Sequence, residues 1–70
     1  MANITEIKEE ISKAIKQSGM SQTELASRLG VKQPNISCYI SGKKLPALDT
    51  LSSLCEILDL DANEILCINK

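Results

Sequence analysis

The 70-residue chain has no histidine, no tryptophan and no phenylalanine, and its only aromatic side chain is Tyr39. Without histidine it lacks the side chain that titrates near neutral pH and the commonest nitrogen ligand of zinc sites. The cysteines Cys38, Cys55 and Cys67 are odd in number and show no Cys-x-x-Cys spacing. This argues against a zinc site or disulfide scaffold and for reduced, structural thiols. Long apolar runs are also missing: none approaches the roughly 20 residues of a membrane span. Met1-Ala2-Asn3-Ile4 leads directly into a charged amphipathic pattern rather than a secretory leader, so a soluble, cytoplasmic protein is expected. No glycine-rich phosphate loop and no nucleophile beside a base occurs, so neither an enzyme nor a cofactor or metal is expected.

What the chain does have is aliphatic mass: nine Ile and nine Leu against one Val. Those residues, with only three Gly and two Pro, suit helices. At 7.6 kDa residues 1–70 make one small domain, which needs an efficient core because so short a chain hides only about 60% of its unfolded surface. No fused ligand-binding domain is expected.

Helical spacing divides the sequence into five segments. Asn3 with Glu6 forms a capping-box pattern ahead of Ile4, Ile7, Ile11, Ala14 and Ile15, which predicts a first helix over about 4–18, stopped by Ser18-Gly19. Ser21 with Glu24 predicts a second capping box, with Met20 placed to staple onto Leu25, and Gly30 ends that two-turn helix. Pro34 suits the first turn of a third helix with Ile36, Tyr39 and Ile40 facing the core, and Gly42 ends it. Leu48, Leu51, Leu54, Cys55 and Leu58 trace a fourth helix. Asp61 with Glu64 predicts a third capping box opening a fifth, with Leu60 placed to staple onto Ile65. The expected fold is all-α, a compact five-helix bundle around one aliphatic core.

Net charge is only −1, at first sight poor for a nucleic-acid binder. The distribution matters more. Residues 25–48 hold Arg28, Lys32, Lys43 and Lys44 and no acid, whereas 49–70 hold Asp49, Glu56, Asp59, Asp61 and Glu64 against Lys70 alone. A basic block of this kind is either a focused positive surface or simply a solvated face.

The segment Gln22-Thr-Glu-Leu-Ala-Ser-Arg-Leu-Gly-Val-Lys-Gln-Pro-Asn-Ile-Ser-Cys-Tyr-Ile-Ser41 pairs the second and third helices across a short turn, a helix-turn-helix over about 21–41. Ala26 must be small where the third helix crosses it, and Val31, Ile36 and Tyr39 fill the wedge between the two. From Met20 to about Leu66 the chain resembles the phage-repressor and Cro-like (XRE-type) helix-turn-helix family. The resemblance rests on Met-Ser-Gln-x-Glu-Leu-Ala-x-x-Leu-Gly-Val, then Gln-Pro-Asn-Ile-Ser-x-Tyr-Ile-x-Gly-Lys-Lys-x-Pro, then Leu-Asp-Thr-Leu and Leu-Asp-Leu-Asp-Ala-Asn-Glu-Ile. It implies a lambda-repressor-like fold and a sequence-specific transcriptional regulator, a repressor, in which two protomers read a palindromic operator in double-stranded DNA.

Under that resemblance the third helix lies in the major groove, and Gln33, Asn35, Ser37 and Cys38 face the bases. Gln33 can pair with adenine; Asn35 can do the same or bind a phosphate. Gln22, Lys32, Ser41, Lys43 and Lys44 are the expected phosphate contacts, with Arg28 a lesser candidate. In each case the plainer alternative is a solvated helix-start or surface residue. Tyr39 reads as core with its hydroxyl at the edge. Cys38 stands where the family often carries a longer polar or basic side chain, which removes one contact. The alternative function is a protein-interaction module or the antitoxin of a toxin–antitoxin pair, with the apolar tail Ile65-Leu66-Cys67-Ile68 as the partner surface if exposed and as core if it packs under the first helix.

Overall fold

The computed structural model describes residues 3–66 and contains α1 (Ile4–Gln17), α2 (Gln22–Leu29), α3 (Gln33–Ser41), α4 (Leu48–Leu58) and α5 (Ala62–Ile65). No strand occurs among the described residues. The helix starts follow local chemistry. Asn3 accepts the Glu6 N–H at 2.9 Å, and the Glu6 carboxylate accepts the Asn3 N–H at 3.3 Å, a complete capping box.

The other two expected boxes form only in part. Ser21 Oγ accepts the Glu24 N–H at 3.0 Å, but the Glu24 carboxylate turns the other way to accept from Arg28 at 3.2 Å. An ion pair one turn along competes with the cap for the same carboxylate. Asp61 accepts from Asn63 N–H at 2.9 Å, while the Glu64 N–H bonds the Asp61 carbonyl at 3.0 Å, so α5 opens on a tighter turn.

The core is drawn from every helix: Ile11 and Ile15 of α1, Leu25 and Ala26 of α2, Ile36 and Tyr39 of α3, Leu51 and Leu54 of α4, and Ile65 of α5. The third helix packs against both α1 and α2, α5 packs on α1, and α2 on α4. Because α3 is held from two sides through Ile36 and Tyr39, its remaining face is free. Two stripe residues break the expected pattern. Ile4 is 54% exposed and Leu48 82% exposed. Each is the first residue of its helix, where the apolar stripe runs past the outermost layer of the core. Ile40, Cys55 and Leu58 pack half-buried at the core's edge rather than inside it. Of the tail, the two described residues lie inward: Ile65 is 4% exposed and Leu66 is half-buried. Cys67 and Ile68 lie outside the described residues.

Helix α4 ends without glycine, on Asp59 at φ 55° and ψ 51°. An L-residue is strained in this left-handed region, and a carboxylate also faces the negative end of the helix dipole there. Asp59→Gly should therefore stabilise the protein by about 1 kcal/mol, a rise of roughly 4 °C or more in Tm. A thermal melt showing no rise would mean the aspartate's local interactions offset the strain.

Candidate nucleic-acid interface

Three residues, Gly30-Val31-Lys32, join α2 to α3. Gly30 adopts φ 74°, and its N–H reaches back to the Ala26 and Ser27 carbonyls while Val31 N–H bonds Ala26 O at 3.0 Å. A left-handed residue at this point redirects the chain at once, and only glycine does so without steric cost. Pro34 sits in the first turn of α3, where a missing N–H leaves nothing unpaired. With Ile36 and Tyr39 inward, α3 leaves Gln33, Ser37 and Ser41 exposed, and Asn35 and Cys38 half-buried beside them. No charged side chain lies within α3.

The polar side chains on this face are organised. Gln33 Nε2 donates to Gln22 Oε1 at 2.5 Å, and Ser37 Oγ donates to the same oxygen at 3.2 Å. Both lone pairs of the Gln22 oxygen are thus engaged, so Gln22 presents outward only its N–H donors, the complement of a phosphate. The Gln33 amide is fixed by one of its N–H groups and keeps its carbonyl and second N–H open. That donor and acceptor pair matches the adenine edge in the major groove. Ser37, its proton committed to Gln22, is left as an acceptor.

At the other end, Lys44 Nζ donates to Asn35 Oδ1 at 2.5 Å. Asn35 therefore offers its Nδ2 donors beside a cation. Ser41 is exposed, and its hydroxyl donates to the Cys38 carbonyl at 3.3 Å. That carbonyl also accepts the N–H groups of Gly42 and Lys43. Ser41 thus closes the C-terminal turn of α3.

Lys32, Lys43 and Lys44 are exposed and lie in no ion pair among the described residues. Arg28 is different: Glu24 at 3.2 Å offsets its charge. The positive field therefore comes from the two ends of α3, Lys32 before it and Lys43 and Lys44 after it. Burial first, then Cys38 and Asp49, push the Tyr39 phenol above its ordinary pKa. It stays a neutral hydroxyl at physiological pH. Burial, aided by Asp61, likewise raises the Cys55 thiol, and both Cys38 and Cys55 are free of disulfides.

A family model described as helix-turn-helix matches residues 11–65, running from the middle of α1 through α5. The chain belongs to the XRE-type, Cro-like helix-turn-helix family. No curated protein and no solved structure gives a significant match. Membership makes this helix-turn-helix protein a DNA-binding regulator in general terms, and it fits the all-helical bundle and the free face of α3. Among its described residues no helix is long and apolar enough to cross a membrane. Sequence reasoning named Gln22 and Gln33 separately but missed that one orients the other. The one signal was a pair of glutamines at the starts of consecutive helices.

Proposed function

We propose that this helix-turn-helix protein is a sequence-specific repressor acting in the cytoplasm, a homodimer that lays α3 of each protomer in the major groove of a palindromic operator. The observation that carries the proposal is the Gln22–Gln33–Ser37 cluster. A surface made only for solubility gains nothing from holding two amides and a hydroxyl in one geometry, whereas base recognition gains affinity from such pre-organisation. In this reading Gln33 pairs with adenine, Ser37 and Asn35 meet neighbouring base edges, and the short Cys38 thiol makes only a close apolar contact. Gln22, Lys32, Lys43 and Lys44 hold the phosphates. Ser41 supports the turn that aims the two lysines, and it reaches a phosphate only by releasing Cys38.

Dimensions support the docking. From Gln33 to Ser41, α3 spans about 12 Å at 1.5 Å per residue, close to the major groove's width of about 12 Å. The protein measures 33 × 23 × 21 Å, so two copies fit side by side with recognition helices about 34 Å apart, one turn of DNA.

The phosphate roles are tested by salt dependence. Lys43→Gln should weaken binding to all sequences about equally and reduce the slope of log affinity against log salt by about 1, whereas Lys44→Gln should reduce the slope equally and also cost some base discrimination, because it releases Asn35. Variants whose loss falls on one sequence and leaves the slope untouched would move these lysines from phosphate to base.

A further inference from the structure

The C-terminal turn of α3 forms one wall of an open cleft of about 650 Å³ whose other wall is α1. Ser12 Oγ on α1 donates to the Ile40 carbonyl at 2.7 Å, which ties the walls together across 28 residues of sequence. On the α1 side the cleft is lined by Lys8, Glu9, Lys13 and Lys16, on the α3 side by Ser41 and Gly42 among others. The cations are not equivalent. Lys13 has Glu10 at 3.7 Å, while Lys8 and Lys16 are in no ion pair among the described residues.

Lys8 is also the one laid against the recognition unit. Its Cδ would lie 3.8 Å from a Cβ built on Gly42, so its half-buried stem lies against the cap of α3, the residue before Lys43 in the chain. Long cationic side chains bury their methylenes in this way and keep the ammonium in water. Lys8 thus sets a cationic side chain of α1 beside the turn that leads into Lys43 and Lys44.

We propose that Lys8 is a further DNA-backbone contact, a phosphate anchor supplied by α1 from outside the helix-turn-helix, with Glu9 opposing it. The inference rests on the DNA-binding reading above. The place of Lys8 against the Gly42 cap, which leads directly into Lys43, favours a phosphate strand as the occupant, because one polyanion can meet cations from both elements while a small anion meets only the cleft.

The test measures affinity for one fixed DNA duplex across a range of salt concentrations, using the full chain. Lys8→Gln should lower the salt slope by about 0.9, weakening binding about eightfold near 0.1 M salt while matching the parent near 1 M. Lys8→Arg should retain the slope. Glu9→Gln should tighten binding at low salt, and Glu56→Gln, an equal charge change on α4 outside the cleft, should do so clearly less. If Lys8→Gln leaves the slope unchanged while Lys43→Gln lowers it, the α1 contact is refuted and the DNA-binding reading stands. Equal effects of Glu9→Gln and Glu56→Gln would reduce the Lys8 effect to net charge and overturn the contact. A parent protein with no salt-dependent duplex binding would remove both.

Discussion

Ile36→Ala is expected to destabilise the protein by about 2–5 kcal/mol, the range for deleting a fully buried aliphatic side chain. Ile36 is 0% exposed at the centre of α3, in the core shared with α1 and α2. Its loss removes both the transfer free energy of three carbons and the contacts of the walls left around the cavity. A domain of this length has about 4–10 kcal/mol in total, so much of the chain would be unfolded at modest denaturant. Urea titration measures the effect. Leu48→Ala provides the contrast: at 82% exposed it should change stability by no more than about 0.5 kcal/mol. Equal losses at the two positions would contradict the burial pattern on which the seating of α3 depends. Operator binding by Ile36→Ala should fall even under conditions where the chain is folded, because α3 is positioned through this residue.

The second large effect concerns recognition. Gln33→Ala should cost about 1–3 kcal/mol of discrimination at one base pair and little elsewhere. Gln22→Ala should cost part of the same discrimination, although Gln22 itself faces the backbone. It does so by releasing the Gln33 amide and the Ser37 hydroxyl that share its oxygen. The two changes therefore should not add: the double variant is expected to lose less than the sum of the singles, the signature of groups acting as one unit. Strictly additive losses, measured on duplexes altered one base pair at a time, would show that the hydrogen bond between the glutamines has no part in reading DNA.

Much of the fold was legible because it is set by local chemistry. Asn3, Ser21 and Asp61 each cap a helix, Gly30 and Gly42 each end one, and Pro34 enters where its missing N–H is harmless. Ile36 and Tyr39, three residues apart, needed only helical periodicity to be placed inward. The departures arise where two local options compete or where a stripe meets the end of the core. Glu24 had both Ser21 and Arg28 within reach, and the pattern alone does not rank them. Ile4 and Leu48 satisfy the apolar spacing, but nothing in spacing tells where the opposing helix stops. Asp59 in a left-handed conformation carries no sequence mark comparable to glycine.

The candidate site was legible as a set of residues but not as an arrangement. Gln22 meets Gln33 and Ser37 across 11 and 15 residues, and Lys44 meets Asn35 across nine. Such pairings depend on how α2, α3 and the following loop pack. The same holds for Lys8, whose place against Gly42 follows from the packing of α1 on α3 and from no motif at all. Arg28 shows the reverse case, a cation counted toward the basic block whose charge is offset within its own helix.

The most direct test of the central claim is to select binding sites from random duplexes with the purified protein, then titrate the enriched sequence across salt while following mass by light scattering. The expected result is an enriched palindrome with half-sites about one helical turn apart, bound by two protomers, with affinity falling steeply as salt rises. Weak, salt-sensitive binding with no enriched sequence would contradict it, and would make a protein partner the object of this surface instead.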